Sequence, residues 1–96
     1  MFLGQVPTLL ATAQSHLRQG AWNQAEALLK EVLGLQPDHA GALGGLAWIA
    51  QHSGRFLEGA EWYRQALHRE PGRKDWVLER ALCLDRTGNP AEAEPL

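Results

Sequence analysis

The chain of 96 residues has one cysteine, one methionine and one tyrosine. A lone thiol closes no intrachain disulfide, and with no second cysteine there is no Cys pair to found a zinc site, so Cys83 reads as a small core hydrophobe. Long apolar runs are missing too. The longest, Ala40 to Ala50, is diluted by three glycines and too short to span a bilayer. Met1-Phe2-Leu3 lacks the basic start and long apolar region of a signal peptide, so a cytosolic chain is expected, or a periplasmic one had a leader been removed. A net charge of −2 gives no broad attraction for phosphates or anionic lipid, which speaks against nucleic acid and membrane insertion.

Catalytic machinery is equally sparse. His16, His39, His52 and His68 are scattered over different segments with no two-His helical pair, so neither a metal nor another cofactor is expected. No nucleophile stands with a base, and Gly44-Gly45 lies in a helical stripe, unlike a phosphate-cradling loop. Asp75 and Glu79, one helical turn apart, would be the only carboxylate pair worth weighing, and an exposed acidic face is the simpler reading. Ninety-six residues form one domain that buries roughly two-thirds of its unfolded surface, too small for separate catalytic and substrate domains. The chain is not expected to be an enzyme.

What the sequence does have is a period. Gly20, Gly54 and Gly88 stand 34 residues apart; Pro37 and Pro71 repeat the interval, as do Ala25, Gly59 and Ala93. Within each unit apolar residues recur at three- and four-residue steps, and glycine or proline falls where a helix should stop. This predicts an all-α chain of helix pairs. Leu9, Ala13, His16 and Leu17 line a helix from about Pro7 to Gln19; a second starts near Asn23, whose spacing to Glu26 fits a capping box, and buries Ala25, Leu28, Leu29, Val32 and Leu33. Asp38 is the expected cap of a third helix carrying Leu43, Leu46, Ala47 and Ala50, and Phe56, Ala60, Tyr63, Ala66 and Leu67 return in a fourth. Val77, Ala81, Leu82 and Leu84 open a further unit that Gly88 turns and Asn89-Pro90-Ala91-Glu92 begins to complete.

These residues resemble the tetratricopeptide repeat, a 34-residue helix-turn-helix pattern of large, small and proline positions. The second unit matches best, through Leu43, Leu46, Ala47, Tyr63, Ala66 and Pro71; the first puts Thr12 and His16, and the third Arg80, where large apolar or aromatic residues are usual. The resemblance implies a right-handed superhelical solenoid of about two and a half repeats in one domain, at about 6–39, 40–73 and a partial 74–96. It also implies a protein-interaction scaffold binding a peptide or helix of an unidentified partner in a concave groove lined by the first helix of each unit. The groove residues would be Gln14, Gly41, Gly44, Gly45, Trp48, Gln51, His52, Glu79 and Leu82, with the three glycines leaving a slot beside Trp48. A family subclass grips a terminal carboxylate with basic side chains and asparagine; the matching places hold Leu10, Gln14, Gly45, Asp75 and Glu79, so a neutral or basic partner is expected. Because the third unit is half built, a homo-oligomer through Val77, Ala81 and Leu84, or docking onto a catalytic domain of a longer chain, is the alternative. Trp22 and Phe56 read as core; Trp62 and Trp76 read as partly buried or as a convex apolar patch.

Overall fold

The computed structural model describes residues 5–87. Five helices follow in chain order: α1 (Gln5–Arg18), α2 (Trp22–Leu35), α3 (Ala40–His52), α4 (Phe56–Arg69) and α5 (Lys74–Arg86). Each packs mainly on its neighbours in the chain, as expected of a solenoid whose units meet only in sequence order.

The two described intra-unit turns are the same structure twice. Gly20 and Gly54 adopt φ of +79° and +83°, a region that strains any residue with a Cβ. Across each glycine a backbone N–H reaches back over the helix end: Ala21 donates to the His16 carbonyl and Arg55 to the Ala50 carbonyl, both at 2.8 Å. This is the left-handed glycine closure that satisfies otherwise orphaned carbonyls. Gly88, expected to act likewise, lies outside the described residues, as does the helix expected from Asn89 onward.

The caps differ from expectation. The glycine closure makes Ala21 the N-cap of α2, so Asn23 already lies inside the helix and the cap has no side-chain hydrogen bond. Asp38 falls one residue short. His39 caps α3 instead, its Nδ1 accepting the Ala42 N–H at 3.0 Å.

The core forms two clusters that share α3. Ala42, Leu46 and Ile49 pack with Val6, Ala13, Ala25, Leu29 and Val32 on one side; Ala40, Leu43 and Ala47 pack with Ala60, Tyr63, Ala66, Trp76 and Cys83 on the other. A helix covered on two sides must be apolar nearly all round, which explains why Ala40 to Ala50 reads as an almost unbroken hydrophobic run. Small residues set the helix crossings: Ala13, Ala25 and Ala47 are fully buried, and a Cβ on Gly59 would stand 3.2 Å from the Gln51 nitrogen.

Trp76 is a correction. It is buried, not part of a convex patch, because its place in the repeat points back at the preceding unit, as does the fully buried Ala42 one period earlier. Trp62 is half-buried and packs against both clusters.

Candidate protein-interaction face

Every residue expected in the groove lies on a first helix, α1, α3 or α5, and register places Gln14, Trp48 and Leu82 at equivalent positions. All three are exposed, Trp48 at 37% and Leu82 at 44%, with Leu78 beside them at 59%. Trp48 is thus the large hydrophobic side chain that α3 turns outward, next to the exposed His52. Its ring stacks on His52, centroids 3.9 Å apart and planes at 23°, and meets the edge of Trp22 at 5.7 Å. His52 Nδ1 lies 2.9 Å from the Trp48 carbonyl; a carbonyl only accepts, so this nitrogen carries the hydrogen. The aromatic group is therefore fixed from the α2 side and from its own helix.

Two hollows border this stripe. One, of about 240 Å³, lies between α1 and α3 and is lined by Leu10, Gln14, Leu17, Gly41 and Gly45 among others. The second, about 210 Å³, is lined by Gln51, His52, Phe56, Leu82 and Arg86. A larger depression of about 1050 Å³ runs along the start of α4 to Arg86 and Thr87, and apart from Arg86 it lies off the stripe.

The glycine slot is not an empty space in the chain. A Cβ on Gly44 would fall 2.5 Å from Cζ2 of Trp76, and one on Gly45 would fall 2.8 Å from a methyl of Leu29. Gly44 is accordingly buried and Gly45 half-buried, while Gly41, bordered by His39, stays exposed. Two of the three glycines thus make room for side chains of the chain itself, and Trp48 fills neither place.

Glu79 and Gln51 form a feature that the sequence reading did not assemble. The buried Tyr63 hydroxyl donates to Gln51 Oε1 at 2.9 Å, and Gln51 Nε2 donates to Glu79 Oε1 at 2.6 Å, joining α4, α3 and α5. Burial, then the nearby charges of Glu79, Cys83 and Asp75, hold the Tyr63 hydroxyl well above its ordinary range, so it stays a donor. Asp75 and Glu79 do not form a carboxylate pair: Asp75 is taken by Arg73, whose guanidinium bonds both its oxygens at 3.0 and 2.9 Å. In α5, Val77 (51% exposed) and Ala81 face outward and Leu84 is half-buried. Among the described residues no cluster of His, Cys, Asp or Glu is suited to a metal ion, and no helix is long and apolar enough to cross a membrane.

Paired helices, glycine closures in register and alternating small residues at the crossings have a counterpart among known families. The family model for the tetratricopeptide repeat matches residues 10–73 and again 63–96. The chain belongs to the tetratricopeptide repeat family. No curated protein matches it. Tetratricopeptide repeats generally mediate protein–protein interactions and are typically non-catalytic modules.

Proposed function

We propose that the protein is an interaction scaffold whose first helices hold a peptide or helix of a partner protein. The observation that carries this reading is the column Gln14, Trp48, Leu82, in which a helix buried on both sides presents one pre-ordered aromatic outward with apolar neighbours on α5. Aromatic side chains held rigid give contact area at little entropic cost, which is why they dominate binding energies. Gln14, Gly41, Gln51, His52 and Glu79 supply the polar surround, and Leu82 extends the apolar contact. Gly44 and Gly45 act by admitting Trp76 and Leu29, not by touching a ligand. In a selection of displayed peptides, Trp48→Ala should weaken captured sequences by about tenfold or more, the usual cost of an aromatic anchor, while the helical circular dichroism is retained. Unchanged affinity in the folded variant would reject the concave face.

A second reading rests on a separate observation. Val77 and Ala81 are exposed, whereas the equivalent Leu43, Ala13 and Ala47 are buried in the earlier units. Where residues 88–96, which lie outside the described residues, leave that face open, cover would come from a second copy of the chain or from a catalytic domain of a longer chain. Light-scattering molar mass tests the first of these: a dimer abolished by Val77→Glu or Leu84→Glu supports it, and a concentration-independent monomer removes it.

A further inference from the structure

Nine carboxylate side chains are described, and only Glu26 and Glu79 are half-buried; the others are exposed. Removing a carboxylate from water is unfavourable unless a cation or several donors replace the lost hydration. Glu26 has that compensation, with Arg55 at 3.2 Å and Lys30 at 3.4 Å. Glu79 does not. Among the described residues it forms no ion pair, and its one hydrogen bond comes from the neutral amide of Gln51. Arg73, just before the helix, holds Asp75 and Glu70; within α5, Lys74 and the neighbouring Arg80 form no ion pair among the described residues, Arg80 acting only through its charge on Glu61 of α4, and Arg86 lies over the Phe56 ring. Arg86 is also about two turns away, roughly 10 Å along the helix, near the screening length at physiological salt.

Glu79 is nonetheless held in place. Gln51, itself oriented by the buried Tyr63 hydroxyl, fixes one carboxylate oxygen at 2.6 Å, so little order remains to be imposed when a donor arrives. Apolar Leu78 and Leu82 are exposed on the same helix, and Trp48 stands at the register position equivalent to Leu82.

We infer that Glu79 is a pre-oriented acceptor for a partner's cation, and that the segment held on the concave face carries an arginine or lysine flanked by apolar residues. The head group bonds Glu79, and the aliphatic stem and its neighbours lie on Leu82 and Trp48. Gln51 and Tyr63 are positioning residues for that carboxylate. This inference rests on the concave-face reading and specifies the partner's chemistry.

The test is a selection of random dodecapeptides on the full chain, followed by affinity measurement of a synthesised winner. Winners should carry Arg or Lys beside apolar residues. Glu79→Gln should cost such a peptide about tenfold, as should replacing its arginine by neutral citrulline; the two together should cost little more than either alone. Thermal unfolding of Glu79→Gln should match or exceed that of the unsubstituted protein, since a poorly compensated charge is removed, and that outcome separates lost recognition from lost folding. Neutral or acidic winners, or full affinity for Glu79→Gln, would overturn the inference. If those winners still weaken on Trp48→Ala, the concave face survives without the cation. If no peptide is enriched, or Trp48→Ala enriches the same peptides equally, both readings fall.

Discussion

Replacing Gly44 by alanine distinguishes a glycine that leaves room for a ligand from one that leaves room for Trp76. A helix-interior glycine costs about 1 kcal/mol relative to alanine, so at an open groove the substitution should stabilise the protein by about that much. The geometry gives the opposite sign. The new Cβ would stand 2.5 Å from Trp76 Cζ2 and 2.8 Å from Cε2, whereas carbon atoms rest at about 3.5–4.0 Å, so the ring must retreat by about 1 Å. It has little room to do so, being 7% exposed, with the Arg73 guanidinium 3.7 Å from its ring centroid. Overpacking of a filled core costs about 1–3 kcal/mol, which leaves a net loss of about 1 kcal/mol after the helix-propensity gain is set against it. Urea unfolding followed by far-ultraviolet circular dichroism measures the change. Gly34→Ala is the reference: it lies in α2 and its Cβ would meet nothing within 4 Å, so it should stabilise by up to about 1 kcal/mol. Adding Trp76→Leu to Gly44→Ala should cost less than Trp76→Leu does in the unsubstituted protein, a coupling of about 1 kcal/mol. Equal stabilisation by both alanines would refute the assignment of Gly44 to Trp76.

Three further outcomes follow from the same geometry. In Glu26, burial works to raise the carboxyl, but hydrogen bonds and charge from Arg55 and Lys30 outweigh it and hold the group below its ordinary 4.5. A depressed carboxylate stabilises the fold above its unfolded value and loses that contribution as pH falls through its folded one; Glu26→Gln should therefore cost about 1 kcal/mol at neutral pH, where Arg55 is partly solvated, and progressively less below pH 4.5, read from urea midpoints against pH. A cost that is the same at both ends of the pH range would contradict the pairing. His39→Ala should lower stability by about 1 kcal/mol through loss of the α3 cap, with Asn or Asp at that position restoring most of it; equal stability of the alanine variant would deny the cap. Cys83 is 1% exposed, and burial first, then the charge of Glu79, raise its thiol above the ordinary range. It should react with an aromatic disulfide about a hundredfold more slowly than a free thiol until urea opens the core, and reaction at the free-thiol rate in the folded protein would show that the α4–α5 packing is looser than described.

The period made the fold legible because it operates through the backbone. A left-handed glycine at Gly20 and Gly54, proline past each second helix, and small residues at the crossings act locally, so each could be read from a few neighbouring residues. The caps were misread by one or two residues for the same local reason. Asn23 and Asp38 are good capping types, but the glycine closure assigns the cap of α2 to Ala21, and His39 takes that of α3. Nothing in the spacing of Asn23 and Glu26 encodes the hydrogen bond from Ala21 to His16 that decides the position.

The face itself was legible as a set of positions and not as a set of occupants. Period fixes that residues 44 and 76, 45 and 29, or 51 and 79 come from adjacent units, yet which side chain enters which space depends on sizes and donors meeting across units. A large Trp76 fits where Gly44 gives way, Leu29 where Gly45 does, and Gln51 bridges because Tyr63 supplies a hydrogen on one side and Glu79 accepts on the other. Such pairings are invisible to a reading that follows one helix at a time. They have a functional consequence. On the proposed reading, positions filled from within, such as Gly44, are removed from the binding surface, while Trp48 is pushed into prominence because Trp22 and His52 support it without covering it. If the first helices hold a partner as proposed, the repeat determines where it lies, and the few side chains exchanged between units determine what chemistry it meets there.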